Sequence, residues 1–535
     1  MILRDWSSDV CSSDLRISER RMYMPTKQKE DSNRCVLTLP LLTEPWQEHI
    51  IEKRFKIIEH LKNQLISIEL RKLKKLQRTK AYKNLIKQIE SVPKSERTAL
   101  YKERNKMLKD AGFSQYTFMD DMAGKKSLMQ KHFESHINVQ IAHKAAIDVW
   151  SSFEKFLFGT GQIVHYQKRG TLSSVASKSP KTGMFYYSDE NIFKWSGGGT
   201  KPKGGIILCL RVASVKTNYE KEMVANNEIK YYRVVRKWMK TKYKYYLQIT
   251  FAGKPADKHR EISTGRVGID IGTQTIAIAS DKSVKLLELA DKVNKNHIKK
   301  CELQRKLDRS RRYTNPDNFN PDGTVKRGTK GHKLKWNKSK HYIEIAGKIR
   351  ELERKNADIR KYQHTCLAND ILAMGNQIYI EPMNYKGLQK RAKETQVDEK
   401  GRYKKKKRFG KSLANKAPAM FVTILKTKAE QHGGEVYEVD IMSYRASQCD
   451  HTTGEYTKHG LNDRWRILGN GDKVQRDLYS AFLIKNSNKT HDEIDLDKCS
   501  KTYDNFKKLH DTEIENIRNE VKLRERKNIS SYGIA

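Results

Sequence analysis

The sequence lacks the features that mark membrane and secreted proteins. Its 535 positions contain no run of about 18 apolar residues, so no membrane-spanning helix is expected. The seven cysteines are scattered and odd in number, and no CxxC pair occurs. This pattern argues against a disulfide framework and favours a reducing compartment. The amino terminus has no continuous apolar segment of the kind found in a secretory signal.

Acidic residues are scarce relative to basic ones. The chain contains 63 Asp and Glu residues against 107 Lys and Arg residues, a formal net charge of +44. An excess of this size repels itself unless a polyanion neutralises it. Nucleic acid is the natural counter-ion, and its binding would be sensitive to salt. A basic protein can also bind a membrane surface, but we expect no membrane partner for this chain.

The first twenty residues follow neither a helical nor a strand pattern. The segment WSSDVC, from Trp6 to Cys11, is nearly repeated by SSDL, from Ser12 to Leu15. This near-repeat resembles translated adapter sequence. We expect residues 1–24 to be a disordered leader, with the natural start at Met22 or Met24.

The remaining chain is long enough for two to four domains. A strand is predicted at Cys35–Leu41, and helical periodicity runs from Pro45 to about Phe158. A helical insertion after the strand explains this layout, and a generic helical bundle is the alternative. Strand-like runs separated by Gly, Ser and Lys follow in 160–262.

Basic and aromatic residues alternate between positions 231 and 246. Aromatic faces can stack on unpaired bases while neighbouring cations hold phosphates. Packing of these rings into a barrel is the alternative. We expect nucleic-acid contacts from Tyr232, Lys237, Trp238 and Tyr245.

Two other segments are strongly basic. The helical stretch around Leu303–Arg312 continues, after a loop near 314–330, to about Asn376, and a helix pair fits this pattern. The segment Arg402–Lys411 contains seven basic residues and no acid, and is either a solvated loop or a lid that grips phosphates. The residues expected to contact nucleic acid are Arg305, Lys306, Arg309, Arg311 and Arg312 in the first segment and Lys404, Lys405, Lys406, Lys407 and Arg408 in the second.

Asp270 lies in the run VGIDIG, from Val267 to Gly272. In an extended strand successive side chains point to opposite faces, so the three aliphatic residues would face the core. Asp270 would share the other face with Gly268 and Gly272. We interpret these glycines as leaving room for a metal ion and a phosphate.

Two further carboxylates stand at the ends of regular elements. Glu381 occupies the last position of a β-prone run that begins at Gln377, and Pro382 stops further ladder pairing. Asp477 opens the helix-like segment Val474–Ile484.

Carboxylates on three separate elements can gather two divalent ions roughly 3.5–4 Å apart, which activate water and stabilise the leaving oxygen in phosphodiester cleavage. Hard oxygen ligands favour magnesium, with manganese as a substitute, over zinc. Each acid also has an ordinary structural interpretation. Asp270 would be a salt-bridged strand residue, Glu381 a surface charge and Asp477 a helix cap. The order of the acids, in strand, strand and helix, favours the shared site.

With these motifs assembled, the segment from about 265 to 485 resembles the TnpB family of insertion-sequence nucleases and the related compact type V CRISPR effectors. Val267–Gly272 is similar to the first RuvC motif and Tyr379–Asn384 to the second. Arg476 and Asp477, with Ala481, are similar to the third. The amino-terminal half matches the family only in its layout.

The resemblance implies an α/β multidomain protein. It would contain an RNase H-like (RuvC) nuclease domain and a β-barrel-like wedge domain with an inserted α-helical recognition domain. The implied activity is RNA-guided cleavage of DNA with magnesium, in which base pairing reads the target. The implied partners are a guide RNA, transposon-derived or crRNA, and target double-stranded DNA, in the bacterial cytoplasm at the nucleoid.

The resemblance also implies roles for single residues. Asp270, Glu381 and Asp477 would be the catalytic residues and the metal ligands. Arg476 would hold the third motif or the DNA, although a surface ion pair fits the sequence equally well. The corresponding domains are the leader at 1–24, the first wedge strand at 25–44, the recognition domain at 45–158, the wedge domain at 159–263, the nuclease domain at 264–446, a degenerate zinc-ribbon-like insertion at 447–473, the third-motif helix at 474–486 and a helical appendage at 487–535.

The chain departs from the family pattern in two places. The family usually has a four-cysteine zinc ribbon between the second and third motifs. Here Cys449, His451 and His459 offer at most three of the four or so ligands that structural zinc needs. We expect no structural zinc, with hydrogen bonds and packing around Trp465 in its place. The second departure is Tyr479, where the family commonly has asparagine, which bears on the geometry of the metal site.

Two other functions remain open at this point. One is an RNA-guided DNA binder that represses without cutting, although such relatives would be expected to have lost a carboxylate. The other is a protein-guided transposase or resolvase, which would not need so large a basic non-catalytic half. Retention of a structured RNA by the purified protein separates the guided functions from the protein-guided one.

Overall fold

The computed structural model describes most of the chain in two compact units, Met1–Ala256 and Asp257–Ala535. The described residues are 34–124, 128–129, 131–159, 161–199, 204–213, 217–253, Pro255, 262–326, Gly328, 334–389, 409–460, 463–526, 529–530 and 532–534. Among them, no helix combines the length and the apolar character needed to cross a membrane.

The strands of the first unit form one antiparallel sheet. Those that the structure describes are β1 (Arg34–Leu42), β2 (Ser174–Ala176), β3 (Met184–Tyr187), β4 (Ile192–Ser196), β5 (Ile207–Val212), β6 (Ile229–Met239) and β7 (Lys242–Ala252). Their order is β2-β6-β7-β1-β5-β4-β3. β1 is central because it pairs with β7 along Arg34–Pro40 and with β5 at Leu41 and Leu42. It includes the strand predicted at Cys35–Leu41, which is confirmed, and every second side chain along it is buried.

Helices fill the segment whose periodicity is helical. They are α1 (Pro45–Arg78), α2 (Lys80–Ser91), α3 (Thr98–Asp110), α4 (Gln115–Ala123), α5 (Lys131–Glu134) and α6 (Val139–Leu157), with a 3-10 turn at Lys94–Glu96, and α7 (Asn218–Asn226) follows later. α1 begins at Pro45, whose missing N–H is not needed in a first turn. The Gln47 side chain accepts a hydrogen bond of 2.9 Å from the backbone nitrogen of Glu44 and so caps the start of the helix.

Buried charges in the first unit are paired with opposite charges or backbone acceptors. Arg54 is fully buried and donates hydrogen bonds to the carbonyl oxygens of Trp195, at 2.8 Å, and Ile206, at 2.6 Å. Arg236 forms an ion pair with Glu52, and the Tyr245 hydroxyl donates to the same carboxylate at 3.0 Å. These bonds connect α1 to the strands, so the buried charged groups of the first unit stabilise the packing of the helix on the sheet.

The second unit contains a mixed sheet. Its strands in the described part of the chain are β8 (Arg266–Ile271), β9 (Thr275–Ser280), β10 (Val284–Glu288), β11 (Gln377–Ile380) and β12 (Glu435–Glu438), in the order β10-β9-β8-β11-β12. β9 pairs antiparallel with both β8 and β10, whereas β8, β11 and β12 run parallel. A separate hairpin consists of β13 (Trp465–Ile467) and β14 (Lys473–Gln475).

Helices cover both faces of this mixed sheet. The helices of the unit, as far as the structure describes it, are α8 (His297–Thr314), α9 (Lys340–Met374), α10 (Tyr385–Gln389), α11 (Gly410–Lys416), α12 (Pro418–Gln431), α13 (Ile441–Tyr444), α14 (Arg476–Lys485) and α15 (Leu496–Lys522), with 3-10 turns at Asp291–Asn296 and Pro316–Asn318. Residues of α9 and α12, such as Ile371 and Phe421, form one core with the sheet. Residues of α14 and α15, such as Phe482 and Phe506, form a second core on the other face.

Candidate active site

Asp270 lies near the carboxyl end of β8, between two buried aliphatic residues. Val267, Ile269 and Ile271 are buried in the core shared with α9 and α12, as the strand pattern predicts. Asp270 itself is half-buried. The alternation of a β-strand therefore directs its side chain away from that core.

Gly268 has a different role from the one that the sequence suggested. A Cβ added to Gly268 would lie 2.0 Å from the carbonyl oxygen of Ala481 and 2.3 Å from the backbone nitrogen of Lys485. The interpretation that this glycine leaves room for a metal ion or a phosphate is therefore wrong. Its missing side chain lets the backbone of α14 lie directly on β8.

Glu381 follows β11 directly, one residue beyond the strand end at Ile380. The parallel register pairs Ile380 with Ile269. One step further along both strands, Glu381 stands beside Asp270, and neighbouring strands are about 4.8 Å apart. Two acids that are distant in sequence thus meet at the carboxyl ends of adjacent parallel strands.

Asp477 is the second residue of α14. Gln475 caps this helix by accepting a 2.8 Å hydrogen bond from the backbone nitrogen of Leu478, so Asp477 is not the cap. Its carboxylate instead pairs with two guanidinium groups. Arg476 lies 3.2 Å away and Arg464 3.6 Å away. Arg476 thus forms an ion pair, and the pair is mostly buried instead of lying at the surface as the alternative had it.

The electrostatic environment of Asp270 includes the charges of the other two acids. Burial, followed by the charges of Asp477 and Glu381, raises the pKa of Asp270 well above its ordinary value, and Arg476 opposes this only in part. Burial also raises the pKa of Glu381. The charges of two acids thus reach Asp270, and the opposing charge of Arg476 does not offset them. Clusters of this kind are typical of functional sites.

The donor chemistry of this acid site fits a hard divalent cation. Three carboxylates supply only oxygen ligands, and the raised pKa of Asp270 indicates negative charge that a cation would offset. Among the residues described, no three His, Cys, Asp or Glu side chains are grouped closely enough to hold a metal ion together. The carboxylate oxygens of Asp477 are instead engaged by Arg464 and Arg476.

Two residues of this neighbourhood were not predicted from the sequence. Burial, and next the charge of Asp270, raises the pKa of Tyr385 to about 12. Tyr385 begins α10, four positions after Glu381, and this spacing was its only signal. Arg464 lies just before the β13 hairpin, in the segment 447–473, and nothing in its local sequence links it to Asp477.

The hairpin segment is held by hydrogen bonds. The Arg466 guanidinium donates to the carbonyl oxygens of Cys449, at 2.9 Å, and Gln448, at 3.2 Å. The Tyr479 hydroxyl accepts a 3.0 Å bond from the backbone nitrogen of His451 and lies 2.7 Å from its Nδ1 atom. Tyr479, the departure from the family pattern, therefore points into this packing and fixes the segment to α14.

Residues 532–534 brace the same hairpin. The Trp465 indole donates a 2.7 Å hydrogen bond to the carbonyl oxygen of Gly533, and the Gln475 amide donates to that of Tyr532 at 3.4 Å. A Cβ added to Gly533 would lie 2.2 Å from the Cβ of Arg464. This segment thus contacts both the cap of α14 and the arginine that pairs with Asp477.

The cations predicted on α8 differ in their surroundings. Arg305, Lys306 and Arg309 are exposed. Arg311 lies 3.7 Å from the centre of the Trp336 ring, and Arg312 forms a 2.7 Å ion pair with Asp308. The predicted residues Lys404, Lys405, Lys406, Lys407 and Arg408 lie outside the described part of the chain.

The aromatic residues predicted in the first unit are also divided. Tyr232 and Tyr245 are only 4% and 3% exposed, so their rings are packed inside the unit and present no face to a base. For these two, the structure favours the alternative of packing within the sheet. Lys237 is exposed and lies 5.0 Å from the Tyr246 ring centre, and Trp238 is half-buried with its ring edge against Tyr243.

Compared with known proteins, the chain matches no family model and no curated sequence. Among solved structures, it is similar to a chain of a Cas12f1–sgRNA–target DNA complex determined by cryo-EM, with 12% identity and a TM-score of 0.45, over 84% of this chain and 98% of that one. It is also similar to a chain of a CRISPR-Cas12f ternary complex determined by cryo-EM, with 13% identity and a TM-score of 0.25, over 84% of this chain and 99% of that one. At such low TM-scores neither likeness bears on function, which must follow from the residues of this chain.

Proposed function

We propose that the chain is an RNA-guided DNA endonuclease that hydrolyses phosphodiester bonds at Asp270, Glu381 and Asp477. The observation that carries this proposal is that the three acids stand on elements that pack together, with Glu381 and Asp477 in electrostatic reach of Asp270, although among the described residues they are not grouped closely enough to hold one ion. The parallel register of β8 and β11 sets Glu381 beside Asp270, and α14 brings Asp477 over β8. Burial, followed by the charges of Asp477 and Glu381, raises the pKa of Asp270, which supports the same conclusion.

Magnesium ions held by these carboxylates would activate water and stabilise the leaving oxygen. The residues of the chain have their own tasks in this proposal. Asp270 and Glu381 would hold a cation as ionised carboxylates, and burial, which raises the pKa of both, opposes that ionisation. Asp477 would hold a cation only after release from Arg464 and Arg476. These two guanidinium groups would then be free to bind a phosphate of the substrate.

The remaining parts of the proposal concern the fold and the guide. The mixed sheet with helices on both faces supports an RNase H-like (RuvC) assignment for the second unit. The wedge and recognition roles proposed for the first unit rest on the resemblance in layout. A net charge of +44 and the exposed cations of α8 support guide RNA and double-stranded DNA as partners.

We also propose that the segment 447–473 folds without zinc. Burial raises the pKa of the Cys449 thiol, which disfavours the thiolate that zinc binds. His451 is buried against Tyr479, and His459 is exposed. The Arg466 hydrogen bonds to the loop carbonyls supply the cross-links that a metal would otherwise provide.

A second candidate is an RNA-guided DNA binder that does not cut. One observation favours it: the carboxylate of Asp477 is engaged by two arginines. If a cation cannot displace them, the acid site stays incomplete and guided binding is the only remaining activity.

The deciding experiment compares Asp270→Ala with the parent protein and with Asp317→Ala. Asp317 is an exposed acid of the same unit and serves as the matched control. Co-purifying RNA is sequenced, and cleavage of a DNA target matched to it is measured over a magnesium titration. We expect cleavage by the parent and by Asp317→Ala, and none by Asp270→Ala, with guided DNA binding retained in all three.

Other outcomes would change the assignment. Equal cutting by Asp270→Ala would rule out the acid site. Retention of RNA without cutting at any magnesium concentration would favour the non-cutting binder. A protein that cuts DNA but purifies free of RNA would be a protein-guided enzyme.

A further inference from the structure

A cleft between α8 and α9 lies apart from the residues of the acid site. Its volume is about 630 Å³, and its lining includes Lys306, Arg309, Ser310, Tyr313, Ser339 and His341. Small-ligand pockets range from roughly 300 to 1,000 Å³, so the cleft has room for one or two nucleotides and not for a duplex. The described residues that line it include two cations, hydroxyl groups, one tyrosine ring and one imidazole, and no carboxylate.

The cations at the cleft are available, whereas two others on the same helix, Arg311 and Arg312, are not. Arg311 is stacked on Trp336, and Arg312 is paired with Asp308 and donates to the carbonyl oxygen of Gly323. Lys306 and Arg309 are exposed, and they have no hydrogen-bond or ion-pair partner within the part of the chain that the structure describes. Free cations on a strongly basic chain are suited to phosphate.

The aromatic residue of the cleft is unusually open. Tyr313 is 91% exposed, the highest value among the exposed large hydrophobic residues of the described chain. Exposing a tyrosine ring forfeits the burial that normally stabilises it. A base with a free face can stack on such a ring, but a base inside a duplex has both faces covered by its neighbours.

The helix dipoles of the backbone do not decide whether this cleft is positive or negative. The carboxyl end of α8 and the amino end of α9 both lie here, and the opposite ends of helix dipoles offset each other. The hydroxyl groups of Ser310 and Ser339 lie 3.0 Å apart and connect the two helix ends. The side chains of Lys306 and Arg309 therefore make the cleft positive.

We propose that this cleft binds an unpaired nucleotide of a single strand, with its base stacked on Tyr313 and its phosphate between Lys306 and Arg309. The proposal deepens the proposed function, because it names one subsite on the second unit for a nucleic-acid strand. Guide RNA and unwound target DNA share the chemistry that the cleft recognises. Both must be tested as the source.

The first experiment is photo-cross-linking of the full chain to 12-nucleotide probes that carry 5-iodouracil, one of RNA and one of DNA. Stacking on an aromatic ring favours the cross-link, and peptide mass spectrometry locates it. We expect an adduct on Tyr313 in at least one arm, and the arm that reacts identifies the source. Lack of an adduct on Tyr313 in both arms, at saturating probe, would overturn the proposal.

The second experiment measures the salt dependence of probe binding. Each phosphate contact to a single strand contributes roughly 0.7 to the slope of log affinity against log salt. Lys306→Ala and Arg309→Ala should each lower the slope by about that amount. Arg312→Ala is the matched control, since its guanidinium is already paired, and should leave the slope unchanged. Equal effects of all three substitutions would overturn the assignment of Lys306 and Arg309 to phosphate.

A pair of substitutions separates stacking from a structural role of Tyr313. Tyr313→Ala should weaken probe binding by roughly 5- to 100-fold, as expected for the loss of one stacked base. Tyr313→Phe keeps the ring and should bind as the parent does. If Tyr313→Ala binds normally, no base stacks there. The cross-linking, the salt dependence and the Tyr313 substitutions all report binding alone, so their outcome is independent of whether Asp270→Ala abolishes cleavage.

Discussion

Charged side chains are buried in both units, but in opposite arrangements. In the first unit, Arg236 is paired with Glu52, donates to the carbonyl oxygen of Leu172 at 2.8 Å, and packs against Phe55. In the second unit, burial and next the charges of two acids of its own sign raise the pKa of Asp270. The first arrangement balances its charges, and the second leaves negative charge in excess.

We interpret the first arrangement as structural and the second as the proposed functional site. A buried charge is costly unless it is paired and hydrogen-bonded, so selection for stability alone produces pairs such as Arg236 and Glu52. Like charges held together lower stability and persist where a ligand or a reaction needs them. We therefore expect substitutions in the two clusters to have opposite effects on stability and activity.

The largest effect is expected from Glu381→Gln. This substitution keeps the shape of the side chain and removes its charge, so a metal ligand is lost with little change in packing. Cleavage should fall by at least about 10³-fold, equivalent to about 4 kcal/mol. Initial rates of target cleavage measure this, with Glu302→Gln, an exposed acid on α8, as the control. A rate within a few-fold of the parent would show that Glu381 is not a ligand.

The next effect concerns the balanced cluster. Arg236→Ala removes the partner of Glu52 and leaves the carbonyl oxygen of Leu172 without its donor. The free energy of unfolding of the first unit should fall by about 2–4 kcal/mol. Denaturant titration measures it. Arg233→Ala on the same strand is the control and should cost about 0.5 kcal/mol, because it loses only a contact with the Tyr231 ring and a long 3.4 Å hydrogen bond to the hydroxyl of that residue. A loss of unfolding free energy for Arg236→Ala as small as that of the control would contradict the distinction between this balanced cluster and the acid cluster around Asp270.

Asp270→Asn should change the free energy of unfolding in the opposite direction from Arg236→Ala. It removes like-charge repulsion and should raise the unfolding free energy in magnesium-free buffer by about 1 kcal/mol. The folded-state pKa of Asp270 lies above its unfolded value, near 3.9, so the folded state holds the proton more tightly. Stability of the parent therefore decreases as pH rises from about 4 through the folded-state value. Thermal unfolding across this range should show the decrease in the parent and a weaker one in Asp270→Asn; an equal pH dependence would contradict the electrostatic cause.

The smallest effect is expected from Arg464→Ala. Its guanidinium lies 3.6 Å from the carboxylate of Asp477, and both side chains are partly exposed, so the pair contributes about 0.2–1 kcal/mol. Without this competitor, the magnesium concentration for half-maximal cleavage should fall by roughly 1.4- to 5-fold. A magnesium titration of initial rates measures the shift. A rise in the required concentration would mean that Arg464 assists metal binding instead of competing with it.

Much of the local structure was predictable from the sequence because it depends on periodicity. The strand at Cys35–Leu41 and the burial of Val267, Ile269 and Ile271 follow from two-residue alternation. The end of β11 was placed one residue too late, at Glu381 instead of Ile380, because boundaries depend on pairing with neighbours. The start of α14 near Asp477 was also indicated, although the cap is Gln475.

The roles of single side chains were less predictable, because exposure and partners depend on distant residues. Tyr232 and Tyr245 have the same basic surroundings in sequence as Lys237, yet only the lysine is exposed. On α8, Arg309 and Arg311 differ by two positions, and only Arg311 meets Trp336 from the following loop. Local sequence does not contain this information.

The sequence alone determined the charge excess, the strand and helix contexts of the three acids, and the lack of a four-cysteine ribbon, since composition and short-range periodicity are properties of the chain itself. Only the tertiary structure decided that Gly268 admits α14 onto β8, that Glu381 aligns with Asp270, and that Arg464 reaches Asp477. Register and close approach arise when elements far apart in the chain pack together, and a Coulomb interaction depends on the distance in space between two charges.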